Sequence, residues 1–257
     1  MENNSFYIKE DSKIVINEQL KNTNFIVAAG LNVEFVLEDF EGQINLNFFI
    51  QKNANVTLKS LNLYNEKSVN LKANLCQSAL FFIYFADLSK NNLTFNSNVI
   101  LLGDDSKSSF KFSSLVNENY CKNYNLSFSQ LGLRTESLFE GFGVSQNEGN
   151  LIIKGVSHIE KGSVKSTANQ LAKVILFDKT SKASASPILK IDCDDIKANH
   201  GCAIGALNDE HLYYLLSRGL SLNEARKLIT EGYLLPIARY FDEEKQNLIK
   251  ENIEGSI

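Results

Sequence analysis

Val69-Asn70-Leu71-Lys72-Ala73 alternates apolar and polar side chains with a period of two, the pattern of a half-buried strand. Similar runs flank it on both sides. Upstream lie Ile14-Val15-Ile16, Phe25-Ile26-Val27, Val33-Glu34-Phe35-Val36-Leu37, Ile44-Asn45-Leu46-Asn47-Phe48 and Val56-Thr57-Leu58. Downstream come Ala79-Leu80-Phe81-Phe82-Ile83, Leu93-Thr94-Phe95, Val99-Ile100-Leu101, Phe110-Lys111-Phe112 and Leu126-Ser127-Phe128. The pattern persists through Asn150-Leu151-Ile152-Ile153-Lys154-Gly155-Val156 and Val174-Ile175-Leu176-Phe177, and ends near Pro187-Ile188-Leu189-Lys190-Ile191 and the His200 segment. Asn, Asp, Ser, Gly or Lys separates the runs at fairly even intervals, with no long helix between them. That spacing suits a coil wound rung upon rung, each rung burying its apolar side on its neighbours. An antiparallel sandwich satisfies the same periodicity, and no sharp repeat separates the two.

The chain has 257 residues and a net charge of −4, enough length for one large or two small domains and the wrong sign for a general nucleic-acid binder. No apolar run reaches the ~18 residues of a membrane-spanning helix, so no membrane is expected as a partner. Met1-Glu2-Asn3-Asn4 lacks the basic and apolar regions of a secretory signal. Cys76, Cys121, Cys193 and Cys202 show no CxxC spacing, so reduced thiols and a cytoplasmic location are expected. Two prolines and abundant Asn and Ser fit many tight corners satisfied by short polar side chains.

A different signal begins near residue 208. Asn208 or Asp209 can cap a helix carrying Leu212, Tyr213, Leu215 and Leu216 and closed by Gly219. Ser221-Leu222-Asn223-Glu224 is a capping box that opens a second helix to Gly232, and Pro236 can open a third. The expected division is a β body over 1–206 and a helical segment over 207–257. At the junction, Asn199-His200-Gly201-Cys202 sets an imidazole and a thiol two residues apart, on one face of an extended chain. His200 reads either as a ligand for iron or as a structural histidine at a rung corner. Cys202 reads either as a thiolate ligand or as a small buried residue. Cys193, an odd number of residues from His200, faces the other way on one continuous strand unless a turn intervenes. Asp192, Cys193, Asp194 and Asp195 read as an acidic corner, because no spaced ligand set completes a metal site. His158 and His211 are given no role. Without a GxxxxGK[ST] stretch, no nucleotide is expected on this chain.

The segment Asp194-Asp195-Ile196-Lys197-Ala198-Asn199-His200-Gly201-Cys202-Ala203-Ile204-Gly205 resembles the "DDV…HGATVG" signature of the SufB/SufD family of iron–sulfur cluster assembly scaffolds. Leu212-Tyr213-Tyr214-Leu215-Leu216-Ser217-Arg218-Gly219 is similar to the "LFYLRSRG" that follows it. Glu224-Ala225-Arg226-Lys227-Leu228-Ile229 with Glu231-Gly232-Tyr233 resembles "EEARRLL…GF". Lys165, Thr167-Ala168, Gln170 and Lys173 fit the upstream "QKTDAxQxNRNLLLS", and Ser186-Pro187-Ile188-Leu189-Lys190-Ile191 fits "KPELEI". These motifs run from about Leu131 to Leu235, and the helical N-terminal region of longer members is expected to be missing.

The resemblance implies a mainly β fold: a right-handed parallel β-helix body with a C-terminal helical tail. It implies a scaffold rather than an enzyme. The tail would dock SufC, an ABC-type ATPase, with Tyr213, Tyr214, Arg218, Leu228 and Tyr233 as expected partner-binding residues. The body would pair with a SufB-type paralogue or a second copy of itself, and a transient iron–sulfur cluster would form at that interface, with His200 and Cys202 as metal ligands. Ala172 stands where SufB-type members carry a cysteine, and Gly201 follows the histidine as in SufD-type members, so the chain looks SufD-like. Cys202 departs from the usual alanine, which leaves open a compact self-pairing scaffold with its own thiolate. A β-helix enzyme acting on acidic polysaccharide is a remote alternative, since it would want a basic cleft and a secretory route.

Overall fold

A computed structural model describes residues 4–207 and 209–256. The possible cap Asn208 and the first three residues of the Met1–Asn4 reading lie outside them. Sixteen strands alternate between two sheets. They are β1 (Asn4–Ile8), β2 (Ser12–Ile16), β3 (Asn22–Val27), β4 (Asn32–Leu37), β5 (Gly42–Ile50), β6 (Asn55–Asn62), β7 (Lys67–Leu75) and β8 (Leu80–Asp87), followed by eight more. Those are β9 (Leu93–Leu101), β10 (Lys107–Val116), β11 (Cys121–Gln130), β12 (Glu136–Ser145), β13 (Asn150–Ile159), β14 (Thr167–Leu176), β15 (Lys182–Ile191) and β16 (Lys197–Ala206). Odd-numbered strands form one eight-stranded sheet and even-numbered strands the other. Each described pairing is parallel, so the body is a β-solenoid and the sandwich alternative is excluded.

The rungs lengthen along the coil. Asn4 pairs with Thr23, an offset of 19 residues, whereas Asn150 pairs with Lys182, an offset of 32. This widening is why no repeat of fixed length is visible. Alternation along each strand sends one set of side chains between the sheets, where two groups of rings pack, Phe25, Phe35, Phe48 and Phe81 in one and Phe85, Phe95, Phe110, Phe112 and Tyr124 in the other. β12 has no counterpart among the strand-like runs because Gly141 and Gly143 dilute its pattern. A Cβ on Gly141 would fall on the Phe112 ring, and one on Gly143 on Leu151.

Short polar side chains serve several corners, as expected: Asp39, Asp104 and Asp178 accept from turn N–H groups, and Asn53, Ser78 and Asp105 hold one corner position that Gly30, Arg134 and Lys165 share. Gly30, Asn53, Ser78, Asp105, Arg134 and Lys165 all hold positive φ, at 54–75°, and stack one per rung. Each N–H donates to a carbonyl of the next rung, as Asn53 does to Gln77, Arg134 to Val164 and Lys165 to Asp195. Backbone hydrogen bonds between rungs thus hold a conformation that residues with a Cβ adopt reluctantly. Arg134 and Lys165 are tolerated there.

The tail comprises α1 (Asp209–Ser217), α2 (Leu222–Leu234) and α3 (Glu243–Glu254). Gly219 closes the first at φ +92°, and the Ser221–Glu224 capping box opens the second. α2 runs past Gly232 to Leu234, and Pro236 opens only a 3-10 turn over Leu235–Tyr240, after which Asp242 caps α3. The tail lies along the outer face of the even-numbered sheet. Leu234, Ile237, Phe241, Ile249 and Ile253 bury against Leu61, Leu63, Leu88, Leu115 and Phe177, while Tyr240 stacks on Tyr84 at 3.9 Å. The end of the tail is therefore part of the body's own packing, not a free arm. Ile249→Ala should cost about 2–4 kcal/mol, as for other buried large-to-small changes, read as a lower urea midpoint.

Candidate functional site

The coil stops at β15 and β16, each the last strand of its sheet. The column of inward-facing residues leading to His200 is Ile14, Phe35, Leu58, Ile83, Phe110, Phe139, Gln170 and His200, one per rung. Six apolar positions precede the two polar ones. Gln170 is buried, and its amide donates to Ser157 Oγ at 2.8 Å and Ile188 O at 3.1 Å, tying the two sheets together under the last rung. Its Oε1 lies buried without a hydrogen-bond partner. His200, one rung on, is exposed because no further rung covers it.

Cys202 pairs in register with Ala172 and is likewise exposed. Its Sγ lies 3.9 Å from the Ala185 carbonyl oxygen on β15. Both of these neighbours, Ala172 and Ala185, are small. Imidazole and thiol therefore share one inward-facing row of an edge strand, opening outward at the end of the coil. Both structural alternatives lose support: His200 lies within β16, away from any rung corner, and Cys202 is not buried. Cys193 sits in the turn between β15 and β16, so strand parity does not govern it. All four cysteines are free thiols.

The expected partner-binding residues divide. Tyr213 and Tyr214 are 75 % and 55 % exposed on α1, and the Arg218 guanidinium lies 5.1 Å from the Tyr214 ring centroid. Leu228 is exposed on α2. Tyr233 is half-buried, edge-on to Phe142, and lines a cavity of about 520 Å³ with Ile204, Leu207 and Ile229. These placements bring Tyr214 and Arg218 together and set Tyr233 against the body.

Sequence reasoning missed the turn that carries the chain into the last rung. Asp178 accepts hydrogen bonds from the backbone N–H groups of Asn147, Thr180 and Ser181 and from the Thr180 hydroxyl. Burial pushes its carboxyl up, but these donors outweigh burial and hold it well below the usual carboxylate range. The Asp-x-Thr-Ser order is the signal that could have found it.

The chain matches the family model for the SUF system FeS cluster assembly, SufBD core domain, over residues 8–233. It therefore belongs to the SufBD family of iron–sulfur cluster assembly proteins. The match reaches well upstream of Leu131, where the family motifs begin. The iron–sulfur cluster assembly protein SufD of Bacillus subtilis (strain 168) is 33% identical over 116 residues, 45% of this chain and 26% of that protein. The SufBD family proteins of Staphylococcus epidermidis and Staphylococcus aureus (strain USA300) are each 26% identical over 164 residues, 62% of this chain and 35% of each relative. The matched stretch thus spans about a third or less of those relatives. Among the described residues no helix is long and apolar enough to cross a membrane.

A carboxylate with a depressed native pKa stabilises the fold above its unfolded value near 4 and loses that contribution as pH falls toward its native value. Asp178→Asn is expected to lower stability by about 1 kcal/mol at pH 7, a figure discounted for solvent exposure. The gap should close as pH falls from about 4 toward 2, measured by urea unfolding at several pH values.

Proposed function

We propose that this chain is a scaffold subunit on whose open end an iron–sulfur cluster is assembled. The observation that carries the reading is the His200 column, apolar for six rungs and polar on its last two, of which the final one, His200, is exposed. A neutral imidazole and a thiolate suit iron, and both must shed their protons to bind it. Two ligands leave the coordination incomplete. A second chain pairing along β15 and β16 completes it, because these edges offer unpaired backbone groups. The partner is a SufB-type paralogue or another copy of this chain. The exposed thiol of Cys202 favours the second case, in which pairing is isologous and each copy brings its own thiolate. Scaffolding rather than catalysis is the role, in the cytoplasm.

The helical segment docks an ABC-type ATPase of the SufC kind. Tyr213, Tyr214 and Arg218 on and just after α1, with Leu228 on α2, supply exposed aromatic, cationic and apolar contacts of the type that dominate interfaces. Residues from Leu234 onward serve packing, which narrows the docking face to the first two helices.

The test is anaerobic reconstitution of the complex with iron and sulfide. His200→Ala should leave circular dichroism and ATPase binding unchanged, since exposed substitutions usually cost within about 0.5 kcal/mol, and should sharply lower retained iron and sulfide. Wild-type rate and yield in that variant would sink the reading. Cys202→Ala separates the pairings: large cluster loss supports the self-pairing scaffold, and no loss leaves His200 as the chain's ligand beside a SufB-type partner.

A further inference from the structure

His158, Glu160 and Asp192 form a cluster on the outer surface, on the two rungs that end the odd-numbered sheet. Register brings them together. Ile159 pairs with Ile191, and the Asp192 N–H donates to the Ile159 carbonyl at 2.9 Å, so the carboxylates of Glu160 and Asp192 follow the ladder on successive rungs. The His158 ring lies between them, with Nδ1 3.0 Å from Glu160 and Nε2 2.7 Å from Asp192. Its side chain is 26 % exposed, against 41 % and 58 % for the acids. One ligand atom from each of the three lies within 4.8 Å of the others. Lys190 pairs with His158 in register and Lys161 adjoins Glu160, yet among the described residues neither lysine forms an ion pair with either carboxylate. Two like charges stacked on adjacent rungs repel.

We propose that this cluster is a binding site for a divalent transition-metal ion of the manganese-to-zinc row. One imidazole nitrogen and two carboxylate oxygens are the donors such ions accept, and a shared centre requires the ring, now between the acids, to turn one nitrogen toward both carboxylates. Three protein ligands leave positions open for water or another ligand, which marks an exchangeable site rather than a closed structural one. Asp192 belongs to the terminal rung and the other two ligands to the rung before it, so a bound ion staples the end of the coil. The site is separate from His200 and Cys202 and does not rest on the function proposed for them.

Cobalt(II) is the probe, titrated into the reduced, cluster-free full chain without oxygen. The expected result is a visible d–d absorption band saturating at one ion per chain and slower amide exchange over residues 190–197. Loss of a direct ligand should weaken binding at least as much as loss of a supporting residue does, about tenfold or more, in both His158→Gln and Asp192→Asn. The His200→Ala, Cys202→Ala double variant should keep the band and the affinity. Absence of a band in the wild type overturns the proposal and leaves His158 as a clamp between two acids. So does an affinity within twofold of wild type in both ligand variants, or loss of the band in the His200/Cys202 double variant. The single variants replace partly exposed groups, and circular dichroism identifies any that fail to fold; Glu160→Gln then takes their place.

Discussion

A parallel ladder satisfies a strand only when another strand lies on each side of it. In this molecule the rule covers corners as well as strands, because Gly30, Asn53, Ser78, Asp105, Arg134 and Lys165 also donate to the next rung. Each rung is thus held by its neighbour through backbone groups and covers that neighbour's apolar row. A stack built this way has ends. At the last rung the inward row of β16 has a floor, Gln170 and Ala172, but no roof. Chemistry that needs both a fixed backbone and open access has a natural place there.

The same constraint explains what sequence makes legible. Period-two runs mark the strands because one face of each is buried, except on the last rung. Those runs carry no information on parallel against antiparallel pairing, so the body could not be separated from a sandwich by residues alone. β12 escaped because its inward residues include glycines beside Phe112 and Leu151, a packing demand that looks like a loop in one dimension. Capping chemistry is local, and the Ser221–Glu224 box accordingly stands where its spacing places it. Pro236 is local too, but it dictates only the first turn, and Asp242 starts the helix that follows.

Sites made between rungs lie at the other extreme. His200 and Cys202 share one strand, so a spacing of two was enough to set them on one face. Asp192 and His158 meet across 34 residues, a separation set by the rung length at that end of the coil. Since rungs lengthen from 19 to 32 residues, no fixed offset could have suggested the pair. Of the acidic corner, Asp192 is the member that the ladder brings beside His158 and Glu160.

The tail adds a last constraint, on where a partner can sit. An amphipathic helix spends its apolar face once. Ile249, Ile253 and Leu234 are fully buried against the even-numbered sheet, each of a kind worth about 1.5–3 kcal/mol on burial. Freeing them for another protein would expose Leu61, Leu88 and Leu115 in return, so docking through that face gains little. α1 is under no such obligation: Tyr213, Tyr214 and Leu216 are exposed, and the Arg218–Tyr214 contact keeps one ring oriented. This helix also follows β16 after one short connection, so a partner seated on it is linked through few residues to the strand carrying His200 and Cys202.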